Sequence, residues 1–115
     1  VIVVTAVLNV AAQRHGSWRV LVVSGDLDVA TAPRLVDYLA GASWTDPPPR
    51  IALELSGLRF CGAAGLRAFV DGWERAASLG GDLVLVAPPR RVVEFLGIFR
   101  ADHITIADAV TDLPQ

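Results

Sequence analysis

The run Ile51-Ala-Leu-Glu-Leu-Ser-Gly-Leu-Arg-Phe-Cys-Gly-Ala-Ala-Gly-Leu66 constrains the fold more than any other stretch. A buried strand over Ile51 to Leu55 leads through four small residues, Gly62, Ala63, Ala64 and Gly65, into a segment of helical period. From Ala64 to Ser78 that period places Leu66, Phe69, Val70, Trp73 and Ala77 on one face, and Arg67, Asp71, Glu74 and Arg75 on the other. Gly80-Gly81 stops the helix, and Leu83 to Ala87 is a short apolar run typical of a strand buried on both faces. Strand, helix and strand in succession require a crossover and parallel pairing.

The flanking segments extend this pattern. Val1 to Val10 and Trp18 to Ser24 are rich in β-branched residues on either side of the polar Gln13 to Ser17, which predicts an antiparallel hairpin. After Gly25, Thr31 is placed to cap a helix over Ala32 to Ala40, with Pro33 in its first turn and Leu35, Val36 and Leu39 at helical spacing. Pro47, Pro48 and Pro49 make Trp44 to Arg50 a loop. Pro88-Pro89 introduces a helix using Val92, Val93, Leu96 and Phe99, followed by a short strand near Ile104 and a helix near Ala107 to Leu113. The expected architecture is one α/β domain over residues 1–115, a mixed and largely parallel sheet with an N-terminal hairpin, flanked by amphipathic helices.

At 115 residues and 53% hydrophobic content the chain can bury a core of its own. Twelve acidic and ten basic residues, spread along the chain for a net charge of -2, leave no electrostatic footprint for nucleic acid and no polybasic membrane patch. Every basic residue is arginine. Cys61 is the only cysteine, which excludes an internal disulfide and fits a reducing, cytoplasmic setting. The apolar start, Val1 to Leu8, is too short to span a bilayer and lacks a positively charged lead, so it reads as a strand; the missing Met suggests trimming.

Reactive chemistry is poorly supplied. The Gly62 to Gly65 turn holds no hydroxyl, carboxylate or imidazole, but its small residues and helix-start N–H groups suit close docking of another molecule. Asp26 and Asp28, two apart past the second strand, make a poor metal site without a third ligand; serving the next helix's N-terminus and contacting a partner are the two roles open to them. If strands two and three are neighbours, the Asp26 to Thr31 loop lies beside the Cys61 to Gly65 turn at the carboxyl edge of the sheet, where α/β proteins gather ligands. Neither His15 nor His103 has a sequence reason to pair with Cys61, which reads as a small buried hydrophobe. The adjacent Arg90 and Arg91 read as solvated. The glycines match neither a dinucleotide fingerprint nor a phosphate loop, so no cofactor is expected.

In order and spacing, Ser24-Gly-Asp-Leu-Asp-Val-Ala-Thr-Ala-Pro33, Leu55-Ser-Gly-Leu-Arg-Phe60, Gly65-Leu66 and Phe95-Leu-Gly-Ile-Phe99 resemble a STAS domain of the anti-sigma factor antagonist type. The likeness covers nearly the whole chain. It implies a noncatalytic domain that binds an anti-sigma factor of the ATPase/kinase type and so frees a sigma factor, with the kinase switching the antagonist off by phosphorylation. The family's turn reads Asp-Ser-Ser-Gly or Asp-Ser-Thr-Gly; here Ala63 holds the acceptor position and Gly62 replaces the acidic residue, so that switch is missing. Asp28 matches the family's acidic residue in the neighbouring loop. The implied partner surface comprises Asp26, Asp28, Thr31, Gly62, Ala63, Ala64, Gly65 and Arg67. A second implication of the same resemblance is a regulatory subunit that binds the ATPase of an ABC-type lipid transporter.

Overall fold

The computed structural model describes residues 7–45 and 48–114. The expected first strand therefore falls partly outside the described residues, as do Asp46 and Pro47 of the expected Trp44 to Arg50 loop, whose first two residues instead belong to a helix. Strand β1 (Leu8–His15) turns at Gly16-Ser17 into β2 (Trp18–Leu27). Then follow α1 (Ala32–Thr45), β3 (Arg50–Cys61), α2 (Ala63–Ser78), β4 (Asp82–Val86), α3 (Arg90–Ile98) and β5 (Thr105–Ala107), with a closing 3-10 turn at Val110–Asp112. The hairpin turn is tighter than the polar stretch suggested, because His15 already pairs with Trp18 and Gly16 takes a φ of 59°.

The five strands lie in sequence order. β1 is antiparallel to β2, and the β2–β3, β3–β4 and β4–β5 pairs are parallel, so the sheet is mixed and largely parallel, as the crossover pattern requires. Strand alternation separates two apolar layers. Leu21, Val23 and Leu27 of β2, with Ile51, Leu53 and Leu55 of β3, face a core shared with all three helices. Trp18 and Val20 of β2, with Ala52, Val84 and Val86, face the other side, where Leu113 covers them and Trp18 Nε1 donates to the Pro114 carbonyl at 2.5 Å.

Several boundaries and faces depart from expectation. α1 continues past Gly41 to Thr45, because one glycine lowers helix stability without ending the helix. The buried face of α2 is centred on Gly65, Leu66, Ala68, Phe69, Gly72 and Ala76; Val70 and Trp73 are half-buried against the core, Trp73 meeting the His103 ring edge-on at 4.5 Å. Ala77, one residue further round, is exposed. On α3 only Val92 and Leu96 are buried, while Val93 and Phe99 face outward. The last expected helix is a three-residue 3-10 turn.

Candidate functional site

β3 determines the site by running beyond its expected end at Leu55. Its pairing with β2 continues to Leu27 opposite Cys61, through register shifts between Val22 and Ser24 and between Gly25 and Asp26. The Asp26–Thr31 loop and the Gly62–Gly65 turn are thereby brought side by side, and the Gly62 N–H donates to the Leu27 carbonyl at 2.9 Å. This adjacency at the carboxyl ends of parallel strands is what the sequence predicts.

The turn opens α2 without help from a side chain. Gly62 is the N-cap residue in extended backbone, and its carbonyl accepts from the Gly65 N–H at 3.1 Å and the Leu66 N–H at 3.2 Å. No acidic residue lies in the first turn, and the amides of Ala63 and Ala64 have no acceptor among the described residues. Ala63 is exposed, Ala64 half-buried and Gly65 buried. A Cβ on Gly65 would stand 2.6 Å from Leu27 Cδ2 and 2.9 Å from Cys61 Sγ, so the absence of a side chain is what lets the helix start sit against β2 and β3. Arg67 is exposed and faces Asp71 at 3.7 Å on its own helix, a contact of small energetic weight at a solvated surface.

Opposite the turn, Asp28 and Thr31 hold the loop. Asp28 Oδ1 accepts from the Ala30 N–H at 2.9 Å and the Thr31 N–H at 3.0 Å, while the Asp28 N–H donates to Thr31 Oγ1 at 2.9 Å. The Thr31 hydroxyl donates to the Asp26 carbonyl at 2.8 Å. The hydroxyl therefore points back into the loop instead of forward as a cap on α1, and a side chain only 6% exposed is satisfied in full. Asp26 turns elsewhere, to Arg59 at 3.3 Å, so the two carboxylates do not converge. Among the described residues no cluster of histidine, cysteine and acidic groups is placed to hold a metal ion.

Cys61 lies half-buried beneath the turn, with Sγ 3.7 Å from the Gly62 carbonyl. Burial pushes its thiol from 9.0 up to about 11. At pH 8 the thiolate fraction is then on the order of a hundredfold below that of an unperturbed thiol, and iodoacetamide should label the native protein correspondingly more slowly than the unfolded chain. Equal rates by mass spectrometry would contradict this burial. The neutral thiol's contribution to stability is full below pH 9.0, where both states are protonated, and is lost as pH rises toward about 11.

The family described as "Mlab, STAS domain" matches residues 10–110. The chain belongs to the STAS-domain family. Solved structures place its fold among anti-sigma factor antagonists. One from Mycobacterium paratuberculosis superposes with a TM-score of 0.76 at 23% identity, covering 92% of this chain and 90% of that one. The anti-sigma factor antagonist SpoIIAA in its unphosphorylated form gives a TM-score of 0.69 at 14% identity over 92% of each chain. A murine anion transporter, Solute Carrier 26 family member A9, gives 0.71 at 16% identity over 87% of this chain and 17% of the transporter. At these identities the likeness concerns the fold alone, which the antagonists and the transporter share.

The STAS domain also exposes apolar residues at this edge that sequence reasoning missed. Val29, at the tip of the Asp28–Thr31 loop, is 82% exposed, and Phe60 is 49% exposed with its ring over Gly62. Alternation with the buried Leu58 would turn Phe60 inward, but the β2–β3 register shifts between the Gly25–Leu58 and Asp26–Phe60 pairs and breaks the alternation there. The signal for Val29 was a lone apolar residue between turn-forming neighbours. For Phe60 there was none, because its exposure follows a register shift against a different strand. Among the described residues no helix is long and apolar enough to cross a membrane.

Proposed function

We propose that this STAS domain is a noncatalytic docking module of the anti-sigma factor antagonist kind. In this reading it binds an anti-sigma factor of the ATPase/kinase type through the Gly62–Gly65 turn and the Asp26–Thr31 loop, and so frees a sigma factor in the cytoplasm. The observation that carries the reading is Ala63, an exposed methyl at the centre of a turn held against an ordered loop, where a partner's surface can approach the backbone. Because neither Ala63 nor Ala64 has a hydroxyl, the domain is not switched by phosphate at this turn. Arg67 adds charge beside it.

The test is calorimetric titration of the protein that copurifies with the domain from its native host. Ala63→Asp should weaken that complex by on the order of 1–3 kcal/mol by burying an unpaired charge, with the fold retained because an acidic group suits a helix's first turn. In the same mixture with ATP, mass spectrometry should find no phosphate on Cys61–Leu66. Unchanged affinity would move the docking surface elsewhere, and stoichiometric phosphate on the neighbouring Ser56 would restore a phosphate switch. The resemblance drawn from the sequence also allows a second reading, a regulatory subunit on the ATPase of an ABC-type lipid transporter. The identity of the copurifying protein, an anti-sigma factor or a transporter ATPase, decides between the two.

A further inference from the structure

A groove of about 340 Å³ separates the far end of β3 from α3, with Leu58 and Phe60 on one wall and Phe95 and Ile98 on the other. Two independent features indicate what fits it. The first is an open strand edge. The β3–β4 ladder ends at the Glu54–Val86 pair, whereas β3 continues to Cys61 with β2 as its partner strand. Beyond Val86 the chain leaves the sheet through Ala87, at a φ of 50°, and Pro88-Pro89 into α3. Just past the end of that ladder, the Ser56 N–H is met by its own strand's Glu54 carboxylate at 3.1 Å. From Leu58 to Cys61 the edge away from β2 faces the groove, with no strand beside it among the described residues.

The second feature is the face that α3 turns to this edge. Arg91, Glu94, Phe95 and Ile98 recur at i, i+3, i+4 and i+7 and line the groove together. Glu94 is paired with Arg90 at 3.1 Å and Arg59 with Asp26 at 3.3 Å, while Arg91 has no ion pair among the described residues. The uncompensated charge is therefore positive. Ile98 is 71% exposed and Phe60 nearly half exposed, so the apolar walls are also open to water.

We infer that this groove binds an extended, acidic-apolar peptide of a partner protein, which adds as a strand to the open edge of β3. Only another backbone matches the repeating donors and acceptors of a strand edge; a fatty acid or a docked helix would leave them unmet. Alternate side chains of the added strand fall against Phe60, Phe95 and Ile98, and an acidic residue meets Arg91. This surface adjoins the Ala63 turn through Phe60 and Cys61, but its proposed ligand does not depend on the role of that turn.

A displayed library of random decapeptides, panned on the folded domain, tests the inference. Enriched peptides should alternate apolar and polar residues and carry an acidic one. Their synthetic forms should protect from hydrogen exchange those amides of Leu58–Cys61 that point away from β2. Of the two alternate sets of peptide nitrogens, methylating the set that faces β3 should abolish binding while the other set is tolerated, every side chain staying in place. Arg91→Glu, at an exposed position with no effect expected on melting temperature, should weaken binding at least about tenfold. Failure to enrich any sequence overturns the inference, as does binding that tolerates N-methyl groups in both alternate sets, or that tolerates Arg91→Glu. Laurate perturbing the groove amides where peptides do not would also overturn it, in favour of a small amphiphile.

Discussion

Replacing Phe69 with alanine is expected to lower the unfolding free energy by about 3–5 kcal/mol. The ring is fully buried in the layer where α2 meets the sheet, among Leu53, Leu55, Leu83 and Leu85 of the same core cluster. Truncation removes the transfer free energy of the ring and leaves a cavity that a rigid sheet cannot close. Such a change is a large fraction of the stability of a domain this size. Urea denaturation should show the midpoint falling at unchanged slope. A loss below about 1 kcal/mol, the range of surface substitutions, would contradict the burial of this face of α2.

Gly25→Ala should be comparably damaging through the backbone. Gly25 has a φ of +96°, outside the regions open to an L side chain, and a Cβ there would stand 2.2 Å from the Val7 carbonyl oxygen. That carbonyl accepts from the Asp26 N–H at 2.8 Å, so displacing it also disturbs the strand that leads into the Asp28–Thr31 loop. Backbone strain of about 1–3 kcal/mol and a further roughly 1–3 kcal/mol for moving the packed chain are expected together. Thermal unfolding of the variant measures the sum, and an unchanged melting temperature would refute the close approach of β1 to β2 at this point.

The order of elements was legible because its causes are local. Period-two alternation marks β2, period 3.6 marks α2, and glycine pairs and prolines separate them. The adjacency of the loop and the turn followed from topology, since parallel neighbours carry their C-terminal loops to one edge. What remained hidden depends on partners distant in sequence. Ser56-Gly57 resembles a strand end, yet β2 holds β3 extended for six residues past Leu55, to Cys61. Phe60 is exposed where the β2–β3 register shifts after Leu58, and Thr31 bonds backward because the Asp26 carbonyl and the Asp28 amide are both in reach. Neither outcome is written in the residues concerned.

Trp18 stands near the start of the domain, but the groups that cover its face of the sheet, Leu113 and the Pro114 carbonyl, are delivered at the far end of the chain. Protein synthesis runs in that direction. On a translating ribosome the hairpin, the crossovers and the helix-side core can assemble while the indole and its neighbours Val20, Val84 and Val86 remain wet. That face is closed only when Leu113 and Pro114 clear the exit tunnel. Until then, an apolar strip on the back of the sheet is available to chaperones, which ties the time the nascent chain spends exposed to the length of sequence still to be made.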